Sequence, residues 1–271
     1  MLTAKFVTVT KELVEGLLEK NVHNRKLKPH SVDWMANQIR AGNWHPNNQG
    51  IALSRDGVLL DGQHRLMALR EAGYPPVQVL LVSGLAPDAV GTIDIGTRRD
   101  HADTLRLLMK EDVSSQVVSA LAVLANYRFN GSRWVRAKQA DRCSSLDLVP
   151  YLQAYEDAVV EMSSWFRWRS VRAETRAAFI VYYTYDHLNA IRFIEQVTTG
   201  ERIDRSMPAY QVREQCVLRK VNGHQGGEDL DVCVRAINDE IGGRPMRMWK
   251  SGMQQDWCQQ IKEAMPRVDT R

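Results

Sequence analysis

Cysteine is scarce: Cys143, Cys216, Cys233 and Cys258 are the only four in 271 residues, and no two of them stand as CxxC. Such spacing argues against a structural zinc site or a thioredoxin-like dithiol. It leaves buried or incidental thiols in a reducing compartment. Long apolar runs are missing too, and nothing approaches the roughly 20 residues that cross a bilayer. The first ten residues alternate like a strand and lack a signal-peptide core. The cytoplasm is therefore the expected compartment, with no membrane partner. There is little excess of either charge: 36 Lys+Arg against 32 Asp+Glu give a formal +4. That balance permits contact with nucleic acid without arguing for it. No internal repeat, low-complexity tract or long flexible linker interrupts the chain.

What is present is an ordinary globular composition, 44% hydrophobic and 25% charged, suited to one or two domains with conventional cores. The expected fold class is α+β, a small mixed domain over 1–103 followed by an all-helical domain over 104–271. In the first part, residues 5–10 alternate and are β-branched, which predicts a strand. Thr10 caps a helix over 11–20, and a polar, basic loop covers 21–29. Ser31 caps a helix over 32–41 that stops at Gly42. Residues 50–54 and 58–61 read as a hairpin about Asp56-Gly57. A helix over 63–72, a buried strand over 77–82 and a short helix from Pro87 follow. Beyond Thr104 no strand is expected. Helical runs near 104–110, 114–128, 146–166, 172–197, 208–221, 229–241 and 252–264 are, with Pro150 kinking or dividing the third.

The most informative stretch is Leu59-Leu60-Asp61-Gly62-Gln63-His64-Arg65-Leu66-Met67-Ala68. An apolar strand ends at Asp61, a glycine breaks it, and a helix opens at once with an imidazole and a guanidinium in its first turn. Free backbone N–H groups, the positive end of a helix dipole and two cation-capable side chains then converge on one point, where an anion belongs. Positive charge at that end is unfavourable unless something negative compensates it. The plainer alternative is connection chemistry, with Arg65 bridged to Asp61 and His64 capping a neighbouring loop.

Residues 61–68 resemble the DGQHR and GxxRxxA signatures of the ParB/sulfiredoxin superfamily. The likeness extends upstream in that superfamily's order, through Asn24-Arg25, a helix ending in Ile39-Arg40-Ala41-Gly42 and the hairpin, and downstream to the strand at 77–82. It covers about 80 residues, from Val22 to the neighbourhood of His101. In that superfamily the turn binds nucleotide phosphates: CTP in partition proteins, ATP or ADP in sulfiredoxins and free-serine kinases. The resemblance implies that Gly62 admits phosphate close to backbone and that Gln63 lies in the binding turn. It also implies that His64 and Arg65 hold phosphate oxygens, that Ala68 lets the helix approach the sheet, and that Asn24 and Arg25 belong to a loop over the nucleotide. Asp94 and Arg98 match the spacing of a second motif that contacts triphosphate and metal, with Arg99 beside them, although Ile95 replaces its asparagine. That segment also reads as a helix start capped by Asp100 or Asp103.

Gln63 occupies the place of the sulfiredoxin cysteine, so sulfinic-acid reduction is excluded. Partition proteins carry GERR where this chain has Gly62-Gln63-His64-Arg65, which separates it from their CTP pattern. The kinases' DGHHR is nearer, and for their upstream glutamate base Glu19 and Asp33 are the candidates. The implied ligand is ATP or a related nucleotide with Mg²⁺, hydrolysed or used for phosphoryl transfer. Asp61, His64 and Arg65 would be the catalytic residues, and Asp61 or Asp94 would hold metal. The DGQHR form is also similar to proteins of DNA modification and mobile elements, including phage, and a homodimer is compatible with it. A non-catalytic DNA-binding regulator is the alternative reading. A DNase ranks last, since no carboxylate cluster builds a two-metal site.

In the helical half, residues 164–169 interleave Trp165, Phe166 and Trp168 with Arg167 and Arg169, followed by Arg172 and Arg176; a second basic loop runs over 244–250. Such runs stack on bases or, more often, are amphipathic stretches with buried rings. His23, His30, His45, His187 and His224 lack metal-ligand spacing and read as surface or hydrogen-bonded histidines.

Overall fold

The computed structural model describes residues 1–22, 24–93, 99–109, 113–132, 134–163, 171–218, 226–249 and 256–268. The chain is α+β and divides into two compact units. One is Met1–Arg98 with Lys138–Arg142, the other Arg99–Ala137 with Cys143–Arg271.

The first unit opens with β1 (Thr3–Thr8). Thr10 then ends the strand and caps α1 (Lys11–Leu18), its hydroxyl accepting from Leu13 N–H at 3.2 Å. Helix α2 (Pro29–Arg40) starts earlier than expected: Pro29 sits in its first turn, Lys28 is the N-cap, and Ser31 does not cap it. Proline's fixed φ suits a first helical position, and its missing N–H is no loss there. Strands β2 (Ile51–Ser54) and β3 (Leu59–Asp61) form the expected antiparallel hairpin. Gly57, at φ +83°, makes its tight turn, and the Ser54 hydroxyl accepts from Asp56 and Val58 N–H at 3.2 and 3.1 Å. Helix α3 (Gln63–Glu71) carries the chain across to β4 (Gln78–Leu85), which lies parallel to β2 and antiparallel to β1. The sheet order is β1-β4-β2-β3. Apolar faces of α1, α2 and α3 share one core with the sheet: Val14 and Leu17, Ala36 and Ile39, Leu66 and Leu69 are buried with Ile51, Leu59 and Val79. Ala68 is fully buried, as close helix–sheet packing requires.

The second unit is mostly helical. After α4 (His101–Met109) come α5 (Ser115–Asn126), α6 (Val149–Ala154), α7 (Glu156–Ser163), α8 (Ala173–Tyr185), α9 (His187–Thr199), α10 (Pro208–Val212), α11 (Gly226–Ile241) and α12 (Gln259–Ala264). Every residue from Thr175 to Tyr182 in α8 is buried. A helix buried all round belongs at the centre of its bundle, and α5, α9 and α11 pack about it. Asp100 and Asp103 start α4 reciprocally, Asp103 N–H donating to Asp100 Oδ1 at 2.8 Å and Asp100 N–H to Asp103 Oδ2 at 3.3 Å.

Several expectations for the second unit are corrected. The expected helix over 114–128 ends at Asn126, and a hairpin follows, β5 (Tyr127–Phe129) against β6 (Trp134–Arg136). Its turn carries Gly131 at φ +90° and an Asx bond from Ser132 N–H to Asn130 Oδ1 at 3.1 Å. The run over 172–197 is two helices: Asp186 is extended and accepts from Asn189 N–H at 3.1 Å, capping α9. Proline at Pro150 lies in the first turn of α6, and the run divides again at Tyr155.

Candidate functional site

Strand β3 turns into α3 through one residue. Gly62 holds φ +101°, and a Cβ on it would lie 3.1 Å from both Cα and Cγ1 of Ile51. Only glycine meets both demands. With no side chain at this N-cap, the first-turn N–H groups of α3 are left to another acceptor.

Residues 24–28 are fastened beside that helix end by polar side chains, several of which bond backbone. Asn24 Nδ2 donates to Leu59 O at 2.8 Å and to Asn21 Oδ1 at 2.7 Å. Gln63, buried, donates from Nε2 to Arg25 O at 2.7 Å and accepts from Asn21 Nδ2 at 3.4 Å. Lys28 N–H donates to His64 Nε2 at 3.1 Å. That last bond requires an unprotonated Nε2 and so puts the imidazole proton on Nδ1.

Electrostatics agree with a neutral His64. Burial first, then the charges of Arg25 and Lys28, hold its pKa below the ordinary 6.5; Asp61 opposes them and His30 adds to them. Several cationic groups therefore act together at the N-terminus of α3, where the helix dipole has the same sign.

Arg65 points elsewhere. Its Nη1 donates to Gln49 O at 2.7 Å and also to Gly50 O, and its Nη2 reaches Asp61 Oδ2 at 3.3 Å and Gln49 Oε1 at 3.4 Å. The side chain is 17% exposed. It ties the first turn of α3 to the start of β2, and Asp61 pairs with it. The plain connection chemistry raised by the sequence is therefore present at both side chains.

Of the residues singled out from sequence, Asn24, Arg25, Gln63 and His64 come together at one helix end. Gly62 makes the turn, and Asp61 and Arg65 form a clamp behind it. Arg99 is exposed in the other unit; Asp94 and Arg98 lie outside the described residues. Glu19 and Asp33 are exposed, at the end of α1 and on α2. Asn21, Lys28 and Gln49 were not singled out, and His30 was set aside as an isolated histidine. The density of cations around Lys28-Pro29-His30 was the available signal.

Three arginines of the helical unit serve the fold. Arg172 pairs with buried Asp229 at 2.9 Å, Arg244 with buried Asp239 at 2.9 Å, and Arg176 is itself buried. Residues 164–170, Lys250, His23 and His224 lie outside the described residues. Among the described residues no three His, Cys, Asp or Glu gather as metal ligands, and no helix is long and apolar enough to cross a membrane. In comparisons with known proteins, no family model, curated relative or solved structure matched the chain.

Proposed function

We propose that the first unit binds a nucleotide, ATP or a close relative, by its phosphates at the N-terminus of α3. The likeness of residues 61–68 to the ParB/sulfiredoxin turn suggests the ligand class, and its DGQHR form suggests DNA metabolism of a phage or mobile element as the setting. One observation carries the reading: the helix end has no side-chain cap, and His64 there accepts from Lys28 N–H at 3.1 Å with its pKa lowered by burial first and by the charges of Arg25, Lys28 and His30 after it. A phosphate there would accept from first-turn N–H groups and relieve the crowding of like charge. Gly62, Gln63 and Asn24 would shape the cradle, with Arg25 and Lys28 neutralising charge.

Mg²⁺ would arrive on the polyphosphate, which supplies most of its oxygens. The residues do not fit a preformed metal site, because the Asp61 carboxylate already serves Arg65, and no step is routed through a metal. Hydrolysis or phosphoryl transfer at this turn would draw on His64, whose lone pair at Nε2 becomes available for a proton once Lys28 N–H lets go. The engagement of His64 and Arg65 with backbone favours a second reading, in which the unit is a turnover-free platform for DNA binding.

Thermal melting with ATP, ADP, CTP and GTP, each with Mg²⁺, separates the two. A nucleotide at about 100 times its Kd adds about 2.7 kcal/mol, a shift of a few degrees. The Arg25→Ala/Lys28→Ala double variant should lose about tenfold in affinity. Arg65→Ala is the poorer probe, since it unfastens β2. If no nucleotide shifts the melt while salt-sensitive DNA binding is retained, the platform replaces the nucleotide site.

A further inference from the structure

The two edges of the four-stranded sheet are finished differently. At one edge β3 is three residues long and its register against β2 shifts. Its Leu59 is engaged through both backbone groups: the N–H donates to Lys20 O at 2.9 Å, and the carbonyl accepts from Asn24 Nδ2 at 2.8 Å. At the other edge β1 has none of these protections. It runs six residues without bulge or proline, and five of them are exposed. Phe6 is 52% exposed. It lies opposite Leu80, on the face away from the core that Val7 and Val79 join.

Pairing with β4 decides which backbone groups of β1 are spoken for. All six pairs keep one register, and Val9 N–H extends it, donating to Val77 O at 2.8 Å. An antiparallel ladder bonds alternate residues. Thr3, Lys5 and Val7 therefore bond β4, and the N–H and C=O of Ala4, Phe6 and Thr8 point outward. A further strand must meet those three. Two registers keep most of the strand paired with an antiparallel copy of itself. One sets Lys5, the strand's only charge, directly against Lys5, which is unfavourable. The other sets Phe6 against Phe6, Lys5 against Val7 and Ala4 against Thr8, so that rings meet and like charges stand apart. A strand already formed also loses little freedom on pairing, whereas a free peptide must first be ordered. We propose that β1 pairs with β1 of a second copy about a two-fold axis through Phe6, joining the two four-stranded sheets into one.

Light scattering across a concentration series should show a monomer–dimer equilibrium for the parent chain. In hydrogen exchange, the Ala4, Phe6 and Thr8 amides should gain protection as dimer accumulates, while Lys5 and Val7 are protected throughout. Phe6→Lys and Phe6→Glu should each weaken the dimer about tenfold, because like charges then meet across the axis. An equimolar mixture of the two variants should associate again as a heterodimer, which unfolded variants would not do. A parent chain monomeric at every concentration would overturn the proposal and leave the edge to an extended segment of another protein. A dimer whose Ala4, Phe6 and Thr8 amides exchange as in the monomer would overturn it too, by placing the interface elsewhere. Both of these readouts use the parent chain and stand whatever the variants do.

Discussion

Charge is handled in opposite ways in the two units. In the helical unit two buried carboxylates, Asp229 and Asp239, meet arginines one to one or better. Asp239, with no exposed surface, takes Arg235 at 2.6 Å and Arg244 at 2.9 Å, and Asp229 takes Arg172. At the end of α3 the charges of Arg25, Lys28 and His30 act on His64 with one sign, and Asp61, which opposes them, is engaged with Arg65. Charges that hold a fold are cancelled locally, because a buried uncompensated ion is costly. A concentration of one sign at a rim suits a partner from solution. The comparison also separates Arg65 from Arg25 and Lys28, which the motif alone would rank the other way.

The largest expected effect is on the cancelled side. Asp239→Ala should destabilise the helical unit by about 3 kcal/mol, the low end for breaking a buried pair, because Arg244 is free to turn to water. Urea unfolding followed by helical circular dichroism reads it, and nucleotide affinity should not change. A loss below about 0.5 kcal/mol would break the contrast.

Gly62→Ala comes next, at about 2–3 kcal/mol, since it combines a left-handed φ with a clash against Ile51. Gly73→Ala is its control: Gly73 shares a positive φ of +82° but has open space around it, so about 1 kcal/mol is expected. Equal losses in the two variants would show that backbone conformation alone, and not the approach to β2, sets the cost.

Acid should then loosen the gathered side. His64 has a folded pKa below the ordinary 6.5, so the unfolded chain takes up its proton first. Its contribution to stability is complete above about 6.5 and is lost as pH falls through the folded value. Protonation also removes the acceptor for Lys28 N–H. Protection of the Lys28 amide from exchange, relative to its intrinsic rate at each pH, should therefore fall on acidification, and bound phosphate, by raising the His64 pKa, should move its histidine resonances at constant pH. Protection indifferent to pH between 7 and about 5 would sever His64 from the loop. The smallest effect belongs to Arg192→Ala: its partner Glu240 lies 3.5 Å away and Arg192 is 60% exposed, so the change should stay within about 0.5 kcal/mol.

The strand–glycine–helix junction was legible because each of its signals is local: two leucines, Asp-Gly and an apolar helical period. The choices made by its side chains were not. His64 bonds a residue 36 positions away and Arg65 one 16 positions away, and only tertiary closure decides such partners. The same holds for loop 21–28, whose placement depends on Asn24 reaching Leu59. The β5–β6 hairpin was missed for a different reason. Strands of three residues are too short to show alternation, although Asn130-Gly131 marked the turn. At Asp186 two helical patterns abut without glycine or proline between them, and only the aspartate cap divides them.

The short piece Lys138–Arg142 has a consequence for the order in which the protein is made. It belongs with Met1–Arg98, where Trp34 Nε1 donates to Arg142 O at 2.9 Å and Asn37 Nδ2 to Asp141 Oδ1 at 3.3 Å. A nascent chain that has released its first 98 residues still lacks these acceptors for α2, and they follow only after a stretch committed to the other unit has emerged. At about 5–20 residues per second the wait is a few seconds. Truncations that stop at residue 98 or 137 would preserve that unfinished state, leaving the Trp34 indole without its carbonyl.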